Sequence, residues 1–173
     1  MPVERWLQAR HIAFMKVETD MRIRPAELSD RDFILSLLPR LVEFGPPPWR
    51  NSAQMTAADA QVLDGVLSTN PKGTTILIAE DDSGTPLGFI HLNTSTDYYT
   101  REEHGHISDI VVAAAGEGRG IGRALMAAGE RWARNQGYRW LTLRVFAENL
   151  RARKLYEELR YRVDTINYIK ELP

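Results

Sequence analysis

Four glycines in seven residues, Gly116, Gly118, Gly120 and Gly122 of the stretch GEGRGIGRAL, constrain this chain more than anything else in it. Helix-forming residues follow directly, so the stretch reads as a turn opening onto a helix. Such turns hold phosphates, because several backbone N–H groups converge at the positive end of the helix dipole. Gly120 and Gly122 would stand at the helix start, where each costs about 1 kcal/mol against alanine. That cost is reasonable where a ligand must approach the backbone closely. Spacing excludes two kinds of nucleotide loop. A dinucleotide loop needs G-x-G-x-x-G, and these glycines alternate strictly. A P-loop needs Lys-Ser or Lys-Thr after its last glycine, and neither occurs here.

The elements around the turn follow from periodicity. MRIRPAELSDRDFILSLLPRLVEF reads as a short strand and a helix capped at Ser29 or Asp30, with Phe33, Ile34, Leu37, Leu38 and Leu41 at helical spacing. GPPPWRN stops that helix, and residues 56–67 form a second amphipathic segment. TTILIAEDDSGTPLGFIHLNT is an antiparallel hairpin about a Ser-Gly turn, and HISDIVV is a further strand. Beyond the glycines come a helix to Gly137, the strand YRWLTLRVF, the helix NLRARKLYEELR and a last strand, YRVDTINYIKEL. The strand–helix–strand run across the glycine turn implies a parallel crossover.

Composition narrows the chemistry. With 173 residues, 43% of them hydrophobic and 26% charged, the chain suits one soluble α/β domain. We expect residues 1–20 to be an extension and 21–173 a single domain. The extension has neither the h-region nor the cleavage site of a secretory signal, and no apolar run is long enough to span a membrane. The absence of cysteine excludes disulfides, zinc–thiolate sites and thiol catalysis, and a cytoplasmic setting fits best. Residues 116–162 carry eleven Lys and Arg against five Asp and Glu, whereas residues 1–115 carry ten against sixteen. One region is therefore suited to a polyanion and the other to cations. Nucleic acid is not the expected polyanion, because the basic region lacks interleaved aromatics for base stacking.

GEGRGIGRALM, followed some thirty residues later by NLRARKLY, resembles the GNAT N-acetyltransferases. Their loop pattern, [Gln/Arg]-x-x-Gly-x-[Gly/Ala], is matched from Glu117 to Gly122 except at its first position. Their second pattern, Asn-x-x-Ala-x-x-Leu-Tyr, is matched by Asn149, Ala152, Leu155 and Tyr156. The resemblance implies an α/β (α+β) fold: a mixed, mostly antiparallel sheet of six to seven strands flanked by about four helices. It implies acetyl-CoA as cosubstrate, transfer of acetyl to a primary amine by direct attack, and no metal. The acceptor is expected to be a small-molecule amine or an amine of a peptide or protein, with neither nucleic acid nor membrane as partner and a homodimer as a possible assembly. Two rivals stand beside this reading: transfer of a longer acyl group, and a CoA-sensing or partner-binding module without turnover.

By the same resemblance the turn Glu117, Gly118, Arg119, Gly120, Ile121, Gly122 and Arg123 receives the pyrophosphate. Backbone groups of Ile110, Val111 and Val112 receive the pantetheine arm as an added strand would. Asn149 caps its helix, touches the CoA arm, or both. Tyr156 becomes the proton donor to the departing thiolate, although its spacing with Ala152, Leu155 and Leu159 equally describes a core aromatic. Glu117 departs from the family pattern, and a carboxylate aimed at a pyrophosphate is repulsive. We expect its side chain to turn outward rather than to pair with Arg119 or Arg123.

An alkylammonium near pKa 10.4 is free amine in about one part in 2,500 at neutral pH, so transfer needs a proton acceptor. His106 is the chosen base, expected to share a face with Ser108 and Ile110; Glu103, His104, Asp109 and a water relay are the alternatives. The EFGPPPWRN turn, Tyr98, Tyr99, Phe146 and Tyr168 are candidates for lining the acceptor channel.

Overall fold

The computed structural model describes residues 21–172, and the expected extension over residues 1–20 lies outside them. The chain runs β1 (Met21–Pro25), α1 (Arg31–Leu37), α2 (Ser52–Thr69), β2 (Thr74–Asp81), β3 (Pro86–Thr96), β4 (Glu103–Val112), α3 (Ile121–Asn135), β5 (Leu141–Leu143) and α4 (Leu150–Glu158). The strands form one sheet in the order β1-β2-β3-β4-β5. The first four pair antiparallel, and β5 joins β4 in parallel after the α3 crossover. This is the mixed α+β architecture expected, with four helices.

The strand count is corrected to five among the described residues. The expected strand YRWLTLRVF keeps only Leu141–Leu143, and residues 161–172 take no regular structure. Both segments are rich in β-branched and aromatic residues, but a strand exists only where a neighbour supplies its ladder. β5 pairs with β4 alone, over three residues.

Two apolar clusters cover the two faces of the sheet. One gathers Ile34, Leu37 and Leu38 of the first helical region and Leu63 of α2 against Ile76, Ile78, Phe89 and Val111. The other gathers Ile121, Leu125 and Met126 of α3 and Tyr156 of α4 against Leu87, Ile90, Leu92 and Ile107. The first expected helix is shorter than its pattern. Pro39 lacks an N–H, so α1 ends at Leu37 and the chain continues as a 3-10 turn, Leu38–Val42. That turn leads into the loop that crosses to Phe146, where Phe44 stacks at 5.1 Å between ring centres.

A β-bulge shapes the middle of β4. His91 pairs with Asp109 and Leu92 with Ile107, so Ser108 is the extra residue. The bulge reverses the alternation beyond it. His106 therefore shares a face with Asp109, on the side of α2, and Ile110 turns to the α3 side. The expectation that His106 and Ile110 share a face is corrected for this reason.

Candidate active site

β4 keeps β3 as a neighbour up to Val112, but its pairing with β5 stops at Ile107 and Leu143. From Ser108 onward the β4 edge facing β5 has no strand beside it among the described residues. This places Ile110, Val111 and Val112 along an open backbone edge. Their side chains are committed elsewhere: Val111 packs toward α1 and α2, and Ile110 and Val112 pack toward α3. What these residues can offer a ligand is backbone.

The open edge runs into the glycine turn. A 3-10 turn, Ala114–Gly116, precedes it, and Gly120 is the residue before α3. The four glycines serve different needs. A Cβ on Gly116 would come within 2.9 Å of the Leu87 carbonyl oxygen, so Gly116 is required by packing. Gly118 and Gly120 have φ of +71° and +78°, the left-handed region that side chains disfavour, and open space surrounds both. Gly122 is helical and lies opposite Leu155 of α4. α3 has no side-chain cap, so the N–H groups of Ile121, Gly122 and Arg123 have no acceptor among the described residues. With Gly118 and Gly120 before them, they make an uncapped helix N-terminus whose free donors are of the kind that suits an anion.

The Glu117 carboxylate turns to partners outside the glycine turn. It does not project freely, and it pairs with neither Arg119 nor Arg123. It accepts from Arg40, in the 3-10 turn after α1, and lies 3.3 Å from Arg151 on α4. Arg151 and Arg40 hold its pKa below the usual glutamate value, the larger share coming from Arg151. Arg123 instead pairs with Glu158 at the far end of α4. The charge of Arg119 is felt at Asp81, the last residue of β2.

α4 brings the second motif to the turn. The Asn149 side chain caps α4, accepting from the Ala152 N–H at 3.1 Å. Tyr156 faces inward, 9% exposed, in the same cluster as Ile121, Ile110 and Val112. Burial raises its pKa above that of an ordinary phenol. Its hydroxyl has no hydrogen-bond partner among the described residues. The site thus gathers the open strand edge, the donor turn and one phenol.

The opposite face of β4 carries polar groups. His106 lies on the last paired rungs, with Nδ1 2.8 Å from the Thr142 hydroxyl on β5. Thr142 in turn donates to the Gly105 carbonyl at 3.4 Å. A hydroxyl donating there accepts from Nδ1–H, which leaves Nε2 with its lone pair. Burial, and then the Arg144 charge, push the His106 pKa down, so the ring is neutral at pH 7. His91, missed by the sequence reading because it sits within an apolar strand, is 4% exposed and reaches Asp109 Oδ2 at 2.9 Å. Its Nε2 has no partner among the described residues. Ser108 donates to Asn93 beside this pair. Burial, and then the Asp109 charge, raise the pKa of Asp59 on α2.

Of the candidate acceptor-side residues, Phe44 and Arg50 of the EFGPPPWRN turn meet Phe146. Tyr98 and Tyr99 pack edge to face on each other and are exposed, as is Tyr168. Trp49 of that turn lines one concavity with Ile169, Lys170 and Glu171.

Comparison with known proteins finds relatives both in sequence and in fold. Residues 38–161 match the profile described as Acetyltransferase (GNAT) family. The chain is 30% identical over 155 residues to an uncharacterized N-acetyltransferase, YhfO, of Bacillus subtilis, covering 88% of this chain and 99% of that one. It is also 30% identical over 149 residues to a mycothiol acetyltransferase of Kocuria rhizophila, covering 84% of this chain and 48% of the relative. The fold is similar to a GCN5-related N-acetyltransferase of Ralstonia eutropha, with TM-score 0.70, 21% identity, and coverage of 88% and 98%. It is similar as well to AAC(6')-Iy in complex with a CoA bisubstrate analogue, with TM-score 0.64, 24% identity, and coverage of 88% and 99%.

Proposed function

Since the chain belongs to the acetyltransferase (GNAT) family, we propose that it moves acetyl from acetyl-CoA to a primary amine by direct attack. The observation that carries this reading is the divergence of β4 from β5 beyond Ile107, beside an uncapped glycine turn. An extended thioester arm fits along the free strand edge and its pyrophosphate on the turn, at Glu117 to Arg123. The thioester supplies the acyl group; the protein supplies position and protons.

His106 is the proposed base. Its Nε2 lone pair, held by the Thr142 contact, takes the ammonium proton directly or through water. Free amine at neutral pH costs about 4.6 kcal/mol, and a nearby acceptor offsets it as the bond forms. The amine nitrogen attacks the acetyl carbon, its second proton leaves to solvent and balances the one Tyr156 later gives to sulfur and regains, and the C–S bond breaks as the amide forms. Tyr156 is the proposed donor to the departing sulfur. With its pKa raised by burial, it is too weak an acid to give up its proton early. It acts by hydrogen-bonding the thiolate charge as that charge develops, with transfer completed late. No metal enters this scheme, because the nucleophile belongs to the substrate.

The acceptor, a small-molecule amine or a peptide or protein amine in the cytoplasm, would approach from the α2 side. Asp59 and Asp109 give that side negative charge, which favours a cationic acceptor. Release of CoA thiol from acetyl-CoA with a panel of primary amines tests the reading. Binding of acetyl-CoA without amine-dependent thiol release would overturn it in favour of a CoA-sensing module.

A further inference from the structure

Glu117 occupies the first position of the anion-binding turn, yet its carboxylate reaches away from that turn to two cations on separate elements. Arg40 belongs to the 3-10 turn after α1 and is only 22% exposed in its side chain. Arg151 belongs to the first turn of α4, next to the Asn149 cap. Arg40 lies 77 positions from Glu117, so the pairing joins parts of the chain that local sequence does not connect. The same loop that follows Arg40 carries Phe44 to Phe146. The turn is thus tied both to the acceptor-side loop and to the helix that carries Tyr156.

We propose that Glu117 is a positioning residue, whose carboxylate pins the glycine turn between Arg40 and Arg151 so that its N–H groups are arranged for a pyrophosphate before one arrives. The proposal rests on acetyl-CoA as the donor. Gly118 and Gly120 make such a pin useful. Both glycines leave the turn many backbone conformations when free, and each must be held at positive φ for the donors to converge. A tie that removes this freedom in the unliganded protein removes the ordering cost from binding. The carboxylate also costs little by repulsion, because two guanidinium groups lie against it. Arg40 acts here through Glu117, not by touching the phosphates.

Calorimetric titration of the full chain with CoA, without any amine, tests this in the wild type, Glu117→Gln, Arg40→Gln, Arg40→Lys and the Glu117→Gln/Arg40→Gln double variant. Each Gln variant should weaken CoA binding by roughly three- to tenfold, the range a small ion network supports. The double variant should be no weaker than the weaker single variant, because both substitutions break one tie. Arg40→Lys should retain most of the affinity. Melting temperatures without ligand confirm that each variant is folded. If the wild type binds CoA and the Gln variants bind equally or more tightly, the proposal falls and the function stands. Additive losses overturn it too, since Arg40 would then be a separate phosphate ligand. A wild type that does not bind CoA removes both the proposal and the function it rests on.

Discussion

The His106 imidazole on β4 meets the Thr142 hydroxyl on β5 at 2.8 Å, at the last rungs before the two strands part. With Thr142 donating to the Gly105 carbonyl, the contact favours the tautomer protonated at Nδ1, which leaves Nε2 free for the proposed role of base.

From this we expect His106→Gln to lower kcat/KM by about 10²-fold or more with a given amine. The dependence on pH follows from the direction of the shift. The neutral ring is the active form, so activity is present above the His106 pKa and lost as pH falls through it. Burial lowers that pKa, which puts the acidic limb below pH 6.5. Thr142→Val should move or blunt this limb while leaving acetyl-CoA binding unchanged. A pH–rate profile for both variants checks it, and an unaltered acidic limb in His106→Gln would assign the base elsewhere.

Tyr156→Phe should lower kcat by about 10²-fold and change the acetyl-CoA KM little. The ring remains to fill its place in the α3 cluster, so the fold should hold. Steady-state kinetics decide between donor and packing: a Phe variant with full kcat leaves Tyr156 as core alone.

Acetyl-CoA should raise the melting temperature, and Gly120→Val should abolish the shift. Gly120 sits at φ +78°, so valine there strains the turn whatever ligand is present. Gly122→Ala supplies the unstrained companion. Its methyl would make only ordinary contacts, at 3.6 Å to Leu155, and alanine favours the helix by about 1 kcal/mol. The unliganded Ala variant should therefore melt no lower than wild type, yet respond less to acetyl-CoA. Differential scanning of both variants with and without ligand separates stability from the phosphate contact.

Away from the site, Arg24 joins Asp30 at 2.7 and 2.8 Å and Glu80 at 2.6 Å. Arg24 holds the Asp30 pKa down, and Arg22 followed by Arg24 does so for Glu80. Both carboxylates thus have folded pKa values below their unfolded 3.8 and 4.5. Their stabilisation is complete above about pH 5 and is lost as pH falls through the depressed values. Arg24→Met leaves two buried carboxylates short of a partner and should destabilise by about 3 kcal/mol. Denaturant unfolding at pH 7 and pH 3 measures it, and the difference between variant and wild type should shrink at the lower pH.

The local patterns of the chain were enough to place the hairpin, the α3 crossover and the glycine turn, because each is written in neighbouring residues. The short apolar runs of TTILIAEDD and PLGFIHL, the turn between them, and the glycine spacing act over a few positions. Asn149 as a helix cap was equally local. Whatever depends on a partner distant in sequence was not legible. Residues 161–172 carry strand-like composition, and β5 was expected to be longer, but a strand needs a neighbour to complete its backbone hydrogen bonds. The extra residue at Ser108 appears only against β3; it put His106 beside Asp109 and turned Ile110 away. No pattern in the sequence links Glu117 to Arg40 and Arg151, or His91 to Asp109. Those pairs exist because folding brings separate elements within a few ångströms, where charge and hydrogen bonding choose partners by distance in space.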